Sequence, residues 1–528
     1  MKVLSLHSMG HDTAAAWFED GRLVHAVETE RLTRWKHDHR VRLALRHLFA
    51  QDGVRAEEAD LITVSSPVRD SVLRLADPGP ACRAVRDGTP YHRTTSWLLG
   101  RPVDCVVVTH EVSHAALALH YAGYPDDCVV LVNEGRGQVA RSSVFRCADG
   151  DVDWVETDPL PWYGNGFGWS ALGWLYGFGK SPSVAGKVMA IGGYGTPDEH
   201  VRGLLEDVDP RVLDDRARAE EEGRRLARLP EFSREFDAMA RVVATFQQMF
   251  TDSVHTLLAK HVEDPARTAL ALGGGCALNI VANSALRDRF GHDIAIPPAC
   301  GDAGHALGAA VFAHHVLYGQ RVRPFSVYCN GGAEPAADVH ATLIAAGLDP
   351  LPYEPGAAAR TLADGGVVAF AHGPSESGPR ALGNRSLLGN PETDGMRRRL
   401  SQHLKRREWF RPLGAVMRAE RFADWFPGQL PSPHMLFNYD VPAGRIPQAR
   451  HADGTCRMQT VTREQNAPLH RLLDEFERLS GVPALINTSL NAQGRAIAHT
   501  AHDALMDFAH TDVDLYVLGD LMARRRTE

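Results

Sequence analysis

The chain has 528 residues, 44% hydrophobic and 23% charged, with 65 acidic against 57 basic side chains and a net charge of -8. That length exceeds one ordinary core, so two or three domains are expected, and the composition excludes a disordered or fibrous chain. The acidic balance argues against a nucleic-acid binder, whose affinity comes from neutralising phosphates, and no run approaches the ~20 apolar residues of a membrane helix.

The start has polar residues where a leader would be apolar, so a cytoplasmic protein without membrane contact is expected. Eight scattered cysteines with no Cys-x-x-Cys predict reduced, mostly buried thiols rather than disulfides or a thiolate zinc site.

Val3 to Leu6, Thr13 to Phe18 and Leu23 to Val27 read as three strands of a meander, the last two joined by an Asp20-Gly21 turn. The order returns at 128–132, 142–145 and 152–156, with turns at 134–137 and at Asp149-Gly150. Two copies of one meander predict an internally duplicated α/β domain. The glycines of the facing first turns would let phosphates approach the backbone, so a nucleotide cleft is one expectation and two ordinary hairpins the other.

His110 and His114 lie in a helical stretch, where a spacing of four puts both imidazoles on one face. By itself such a pair reads either as structural or as two ligands of a divalent metal, with Glu134 and Asp302 as candidate carboxylates; two His and one or two carboxylates favour iron(II), manganese or zinc. Trp162, Tyr163, Phe167, Trp169, Trp174, Tyr176 and Phe178 form an aromatic segment that reads either as core or as the wall of an acceptor pocket.

Residues 213–262 read as helical insertion or lid material. Residues 269–290 read as strand, glycine turn (Gly273, Gly274, Gly275) and a helix opening near Ala277, and 295–317 repeat the order around Gly301 to Gly304. Each turn presents backbone N–H groups to a phosphate. Residues 320–358 have the looser composition of a connector, which sets a domain boundary near 345. Beyond it, 365–373 and 482–494 carry further α/β patterning.

Basic side chains crowd residues 395–411, which alone reads as a solvated helix face. With Arg380 and Arg385 upstream, and Lys405, Arg407 and Arg411 interleaved with Trp and Phe, the pattern favours an anion site.

Ten motifs in order then resemble the NodU/CmcH-type O-carbamoyltransferases. They are GHDTAA (10–15), VETERLTRWKHD (27–38), HEVSHAA (110–116), GKVMAIGGYG (186–195), GGGCALNIVAN (273–283), GDAGHALGAA (301–310), SGPRALGNRS (377–386), KRREWFRP (405–412), HADGTCRMQTV (451–461) and NTSLNAQG (487–494). The resemblance implies a duplicated ASKHA, TsaD-like α/β domain over 1–345 and an α/β YrdC-like domain over 346–528.

It also implies that carbamoyl phosphate and ATP, with Mg(II), give a carbamoyl adenylate in the second domain. The carbamoyl group then passes to a small-molecule hydroxyl, such as that of a natural product in antibiotic biosynthesis, beside a metal, expected to be Fe(II), in the first. A homodimer is among the assemblies expected.

By the same resemblance, His110, His114, Glu134 and Asp302 match metal ligands, His11 the general base, and Lys36 a lysine that stabilises the developing oxyanion. Gly135, Gly137, Gly186, Lys187, Gly274 and Asn279 match nucleotide contacts of the first domain. Arg380, Arg385, Lys405, Arg407, Arg411, Arg457, Asn487, Ser489 and Asn491 match carbamoyl phosphate and ATP contacts of the second.

Three departures stand out: Glu134 where the family has Asp, Glu111 where a second His is usual, and Arg495-Ala496 in place of Glu-Pro. The same folds also serve ASKHA kinases and tRNA threonylcarbamoyl enzymes. A kinase leaves 346–528 unexplained, and no basic face suits tRNA.

Overall fold

A computed structural model describes residues 1–8, 10–65, 74–75, 87–148, 151–179 and 182–524. The Asp149-Gly150 turn and Cys82 lie outside the described residues. The seven described cysteines are free thiols, five of them buried.

The first meander is built from Lys2–His7, Ala14–Glu19 and Arg22–Glu28, paired antiparallel. Asp20 and Gly21, at φ 48° and 70°, make the left-handed two-residue turn that matches strand twist. Strands Leu61–Ser65 and Arg101–Val108 extend this sheet in parallel from Lys2–His7, and Tyr91–Leu98 returns antiparallel.

The second sheet repeats the plan. Asp127–Asn133, Ser142–Ala148 and Asp151–Thr157 form its meander, and Ala269–Gly273 and Ile294–Ala295 continue it in parallel. The last strand is only two residues long because Pro297 and Pro298 follow and cannot donate to a ladder.

Two helices, His110–Tyr121 and His305–Phe312, pack on each other between these sheets. Both are buried on nearly every side, as helices between two layers must be. That position, rather than amphipathicity, is why the polar side chains at their N-terminal ends face one another inside the protein. The expected helical region resolves into Arg216–Leu226 and a 26-residue helix, Phe236–His261. The helix expected near Ala277 starts at Ile280, after a tight turn over Gly275–Leu278.

The remaining strands form one nine-stranded mixed sheet, with Val367–Ala371, Arg385–Gly389 and Ala484–Ser489 at its centre. Helices Pro355–Ala363 and Ala467–Ser480 pack together over it. The helix Ala336–Ala345, just ahead of the expected boundary, packs with this half through Ala501–Phe508 and Leu521–Arg524.

The two halves are clasped by buried polar groups. Arg31 pairs with Glu28 and Glu30 and donates to the carbonyls of Glu376 and Gly378, while Glu28 accepts from Ser377 Oγ at 3.0 Å and Gly378 N at 2.7 Å. Arg34 adds an ion pair to the buried Asp507.

The Arg495-Ala496 departure belongs to this clasp. Ala496 N–H donates to the Arg34 carbonyl at 3.0 Å, which proline has no hydrogen to do, and Arg495 pairs with Asp507 at 2.7 Å.

Candidate active site

His110 and His114, one turn apart, meet Asp302 and His305 at the start of the facing helix. The Nε2 atoms of His110, His114 and His305 lie 3.7, 3.6 and 3.7 Å from Asp302 Oδ1. One donor atom from each of the four residues falls within 4.8 Å of the others. His305 is a member that the sequence reading did not single out. Its signal was present, since a spacing of three from Asp302 at a helix start puts both on one side.

Glu134 sits at the edge of this group. Its Oε1 is 3.0 Å from His114 Nε2 and accepts the Gly275 N–H at 2.6 Å. Burial disfavours protonated imidazole, and it brings His110 down to about 4. Burial also opposes charge on His114, but Asp302 and Glu134 outweigh it and raise His114 to about 9.

Two carboxylates facing three imidazoles thus need positive charge among them, and the Nε2 atoms of His110 and His305 are buried without a hydrogen-bond partner. The residues present fit a divalent cation: neutral imidazoles and a carboxylate are donors for a borderline ion.

Asp302 Oδ2 turns outward, 3.5 Å from His11 Nδ1. That nitrogen is also 2.9 Å from Asp12, whose carboxylate reaches His37 Nδ1 at 2.9 Å; His37 Nε2 meets Ser183 Oγ at 2.7 Å. The bond to Asp12 is the largest influence raising His11 to about 9. Asp12 and His37 both hold left-handed backbones, at φ 57° and 58°, the kind of local strain that collects at working sites.

Next to His37, Lys36 looks toward the second half. Loss of solvent on its inner side, then repulsion from Arg407 and, more weakly, Arg411 and Lys187, lowers its ammonium below the ordinary value, although the residue keeps an exposed edge. Lys187 crosses the same boundary to pair with Glu408 at 2.8 Å.

On the far side, Arg380, Arg407, Arg411 and Arg457 crowd together. Burial lowers each guanidinium below its ordinary value, and repulsion from neighbouring arginines adds to it at Arg380, Arg407 and Arg457. Buried Nε atoms of Arg380 and Arg457 lack partners, and Glu408 is the carboxylate paired with Arg411, at 3.7 Å. Such a cluster suits an anion bound among its members.

Other expected contacts are committed elsewhere. Arg385 donates to the carbonyls of His499, Gly373 and Asn384, so its guanidinium ties three backbone segments instead of joining the cluster. Lys405 Nζ is fully buried and bonded to both the carbonyl and the side chain of Ser489 and of Asn491. These three form one internal tie, against which Arg407 sets a guanidinium nitrogen 3.1 Å from Ser489 Oγ. Asn487 pairs with Gln459 at 2.9 Å and keeps Oδ1 unpartnered.

In the first half, Asn279 caps its helix by accepting the Ala282 N–H at 3.1 Å and donates to Gln247. Gly137 is a packing glycine: an added Cβ would lie 1.8 Å from the Ala140 carbonyl oxygen and 2.4 Å from Glu111 Oε1. Gly274 turns at φ 84° against the backbone of Asn133, and Gly135 crosses close to Gly166. Gly186 alone of these glycines faces open space.

Glu111, the second departure, accepts N–H bonds from Gln138, Val139 and Ala140 at 2.7, 2.8 and 3.1 Å and so holds the Glu134 loop in shape. The aromatic segment is largely core: Trp162, Trp169 and Tyr176 are buried, with Trp169 set against Phe246 and Phe250. Trp174 keeps an exposed edge.

An α/β fold that buries an imidazole–carboxylate cluster and sets it facing an arginine cluster has the layout of a group-transfer enzyme. Models described as the carbamoyltransferase N-terminus and C-terminus match residues 100–311 and 359–525. Nodulation protein NolNO of Sinorhizobium fredii is 31% identical, over 98% of this chain and 79% of that protein. The 3'-hydroxymethylcephem-O-carbamoyltransferases of Streptomyces clavuligerus and Amycolatopsis lactamdurans are each 29% identical, over 98% of both chains in each case. The chain belongs to the carbamoyltransferase family, and it is an enzyme of that class.

Proposed function

We propose that this enzyme is an ATP-dependent O-carbamoyltransferase working in two stages. In the second half, read as a YrdC-like domain over 346–528, carbamoyl phosphate, Mg(II)-bound ATP and water give carbamoyl adenylate, phosphate and pyrophosphate. In the first half, read as a TsaD-like ASKHA domain over 1–345, the carbamoyl carbon passes to an acceptor hydroxyl and AMP leaves. The C–O bond to the acceptor forms as the C–O bond to AMP breaks.

One observation carries the reading. Lys36, which repels Arg407 and Arg411 of the second half, adjoins His37, and His37 leads through Asp12 and His11 to Asp302. The two centres therefore come near one another across the domain boundary, and a short transfer between them would limit the exposure of a mixed anhydride to water.

Arg380, Arg407, Arg411 and Arg457 bind the phosphate oxygens, where guanidinium forks are strongest. In its neutral form His11, oriented by Asp12, takes the acceptor's proton, and Lys36 faces the charge that develops on the carbamoyl oxygen. A divalent ion held by His110, His114 and Asp302, expected to be iron(II), would supply Lewis acidity and neutralise the Asp302 charge that helps hold His11 protonated. The acceptor is a hydroxylated small molecule, in keeping with the hydroxymethyl group that the cephem relatives' names specify.

Pyrophosphate release from ATP, with and without carbamoyl phosphate, tests the activation stage before any acceptor is known. Release that requires carbamoyl phosphate is expected. His110→Ala should keep it and lose transfer, whereas Arg411→Ala should lose both. Equal loss of pyrophosphate release in a folded His110→Ala would overturn the division of stages.

A further inference from the structure

We propose that His305 is itself a metal ligand in this chain, so that the centre holds one borderline divalent ion with three imidazoles and one carboxylate. The inference rests on the metal-assisted reading above and adds to it a donor that the sequence reading did not assign.

His305 is 0% exposed, and neither of its ring nitrogens has a hydrogen-bond partner. A buried polar atom left unpaired is costly, so a fold keeps one where something else satisfies it. Its ring centroid lies 4.1 Å from those of both His110 and His114. Its Nε2 is as close to Asp302 Oδ1, at 3.7 Å, as that of His110. By position it is therefore equivalent to the two residues expected as ligands.

Donors bound at roughly 2.1 Å to one ion lie roughly 3.0–3.4 Å apart, so this set needs only small inward shifts to close on an ion. Glu134 is held differently: its Oε1 accepts the Gly275 N–H at 2.6 Å and lies 3.0 Å from His114 Nε2, outside the group of four donors. On the other face of His305, the ring of His7 packs at 4.6 Å and limits the imidazole's freedom to swing away. Three imidazoles select iron(II), cobalt(II), zinc(II) or manganese(II) over magnesium, which prefers oxygen donors and keeps its water.

The test uses the full-length protein, stripped with a chelator and titrated anaerobically with cobalt(II). Metal per chain, the dissociation constant and the visible absorption of bound cobalt are the readouts. Wild type and the control His120→Gln should bind one ion with the same spectrum. His305→Gln should weaken binding by at least about tenfold, the smaller loss seen when even an outer partner of a ligand is removed, and change the cobalt spectrum.

A second measurement needs no variant. Cobalt-loaded wild type should show three hyperfine-shifted, exchangeable imidazole N–H resonances. Two such resonances, or an unchanged constant and spectrum in folded His305→Gln, would overturn the role of His305 while leaving His110 and His114 as ligands. Failure of wild type to bind cobalt at all would overturn this inference and the metal-assisted reading together. Loss of pyrophosphate release, by contrast, would speak only against the activation stage.

Discussion

Replacing Arg31 with Met removes the centre of the interdomain clasp and leaves Glu28 buried without its cation. The lost interactions are the pairs to Glu28 at 3.3 Å and Glu30 at 3.1 Å, plus the bonds to the carbonyls of Glu376 and Gly378. Breaking one side of a buried ion pair costs about 3–5 kcal/mol. Two hydrogen bonds from a charged donor, at about 1.5–3 kcal/mol each, give a loss of similar size by a separate route. Glu28 keeps its bonds from Ser377 and Gly378, but burial already pushes its carboxyl above the usual range, so in the variant it has even more reason to take up a proton.

The double variant Arg31→Met/Glu28→Gln should therefore recover part of the loss, because replacing both partners removes the stranded charge. Urea unfolding followed separately by tryptophan fluorescence and far-UV signal would measure both variants. Pyrophosphate release and carbamoyl transfer should part company, with transfer falling further, since only transfer needs the halves held together. A loss below about 1 kcal/mol in Arg31→Met, or a double variant as unstable as the sum of its singles, would refute the reasoning.

The other expectations are local. Ala496→Pro removes the bond to the Arg34 carbonyl and should cost about 1 kcal/mol in thermal unfolding, whereas an unchanged midpoint would mean that the strand contact does not hold the halves. Trp169→Ala should cost about 3–5 kcal/mol, because the ring is only 3% exposed and packed on Phe246 and Phe250, and it should leave the acceptor Michaelis constant of the folded fraction unchanged. Burial, with Arg385 and His47 adding to it, brings His499 down to about 3. The folded protein keeps this imidazole neutral while the unfolded chain protonates it below about pH 6.5, so the contribution is present above that pH and is lost as pH falls toward 3. Between pH 7 and pH 5 the loss is about 2 kcal/mol, and His499→Gln should remove that much of the pH dependence of the unfolding free energy measured with urea.

The meanders and the paired histidines were legible because period-two alternation and a spacing of four are local signals. Asp302 was legible as a candidate carboxylate from its glycine turn, and Glu134 from the matching turn of the second meander. Residue type was a poorer guide to the second half. Arg385 and Lys405 have the chemistry of phosphate ligands, yet their donors go to carbonyls of His499, Ser489 and Asn491, more than eighty residues away in sequence. Nothing local marks such acceptors. The aromatic segment is core at Trp162 and Trp169 for the opposite reason: the long helix Phe236–His261 packs on them, and a helix that covers a neighbour has the same composition as one that flanks a cleft.

The two centres also differ in the sign of their imbalance, and this bears on how they act in sequence. Arg380, Arg407, Arg411 and Arg457, joined from the first half by Lys36 and Lys187, gather an excess of cations over the carboxylates of Glu408 and Glu30. Asp12, Glu134 and Asp302 set three carboxylates among imidazoles of which burial brings His110 down to about 4, while the carboxylates raise His11 and His114 to about 9. In the proposed mechanism an anionic nucleotide would be held on the arginine side, with its carbamoyl end turned toward the imidazoles and its phosphates kept out of a field that repels them. Lys36 stands at the crossing, the one cation adjacent in sequence to the histidine chain and in electrostatic reach of the arginines. Its place explains why the clasp at Glu28, Arg31 and Arg34 is built from the same short segment: fixing those residues on the second half fixes Lys36 between the two fields.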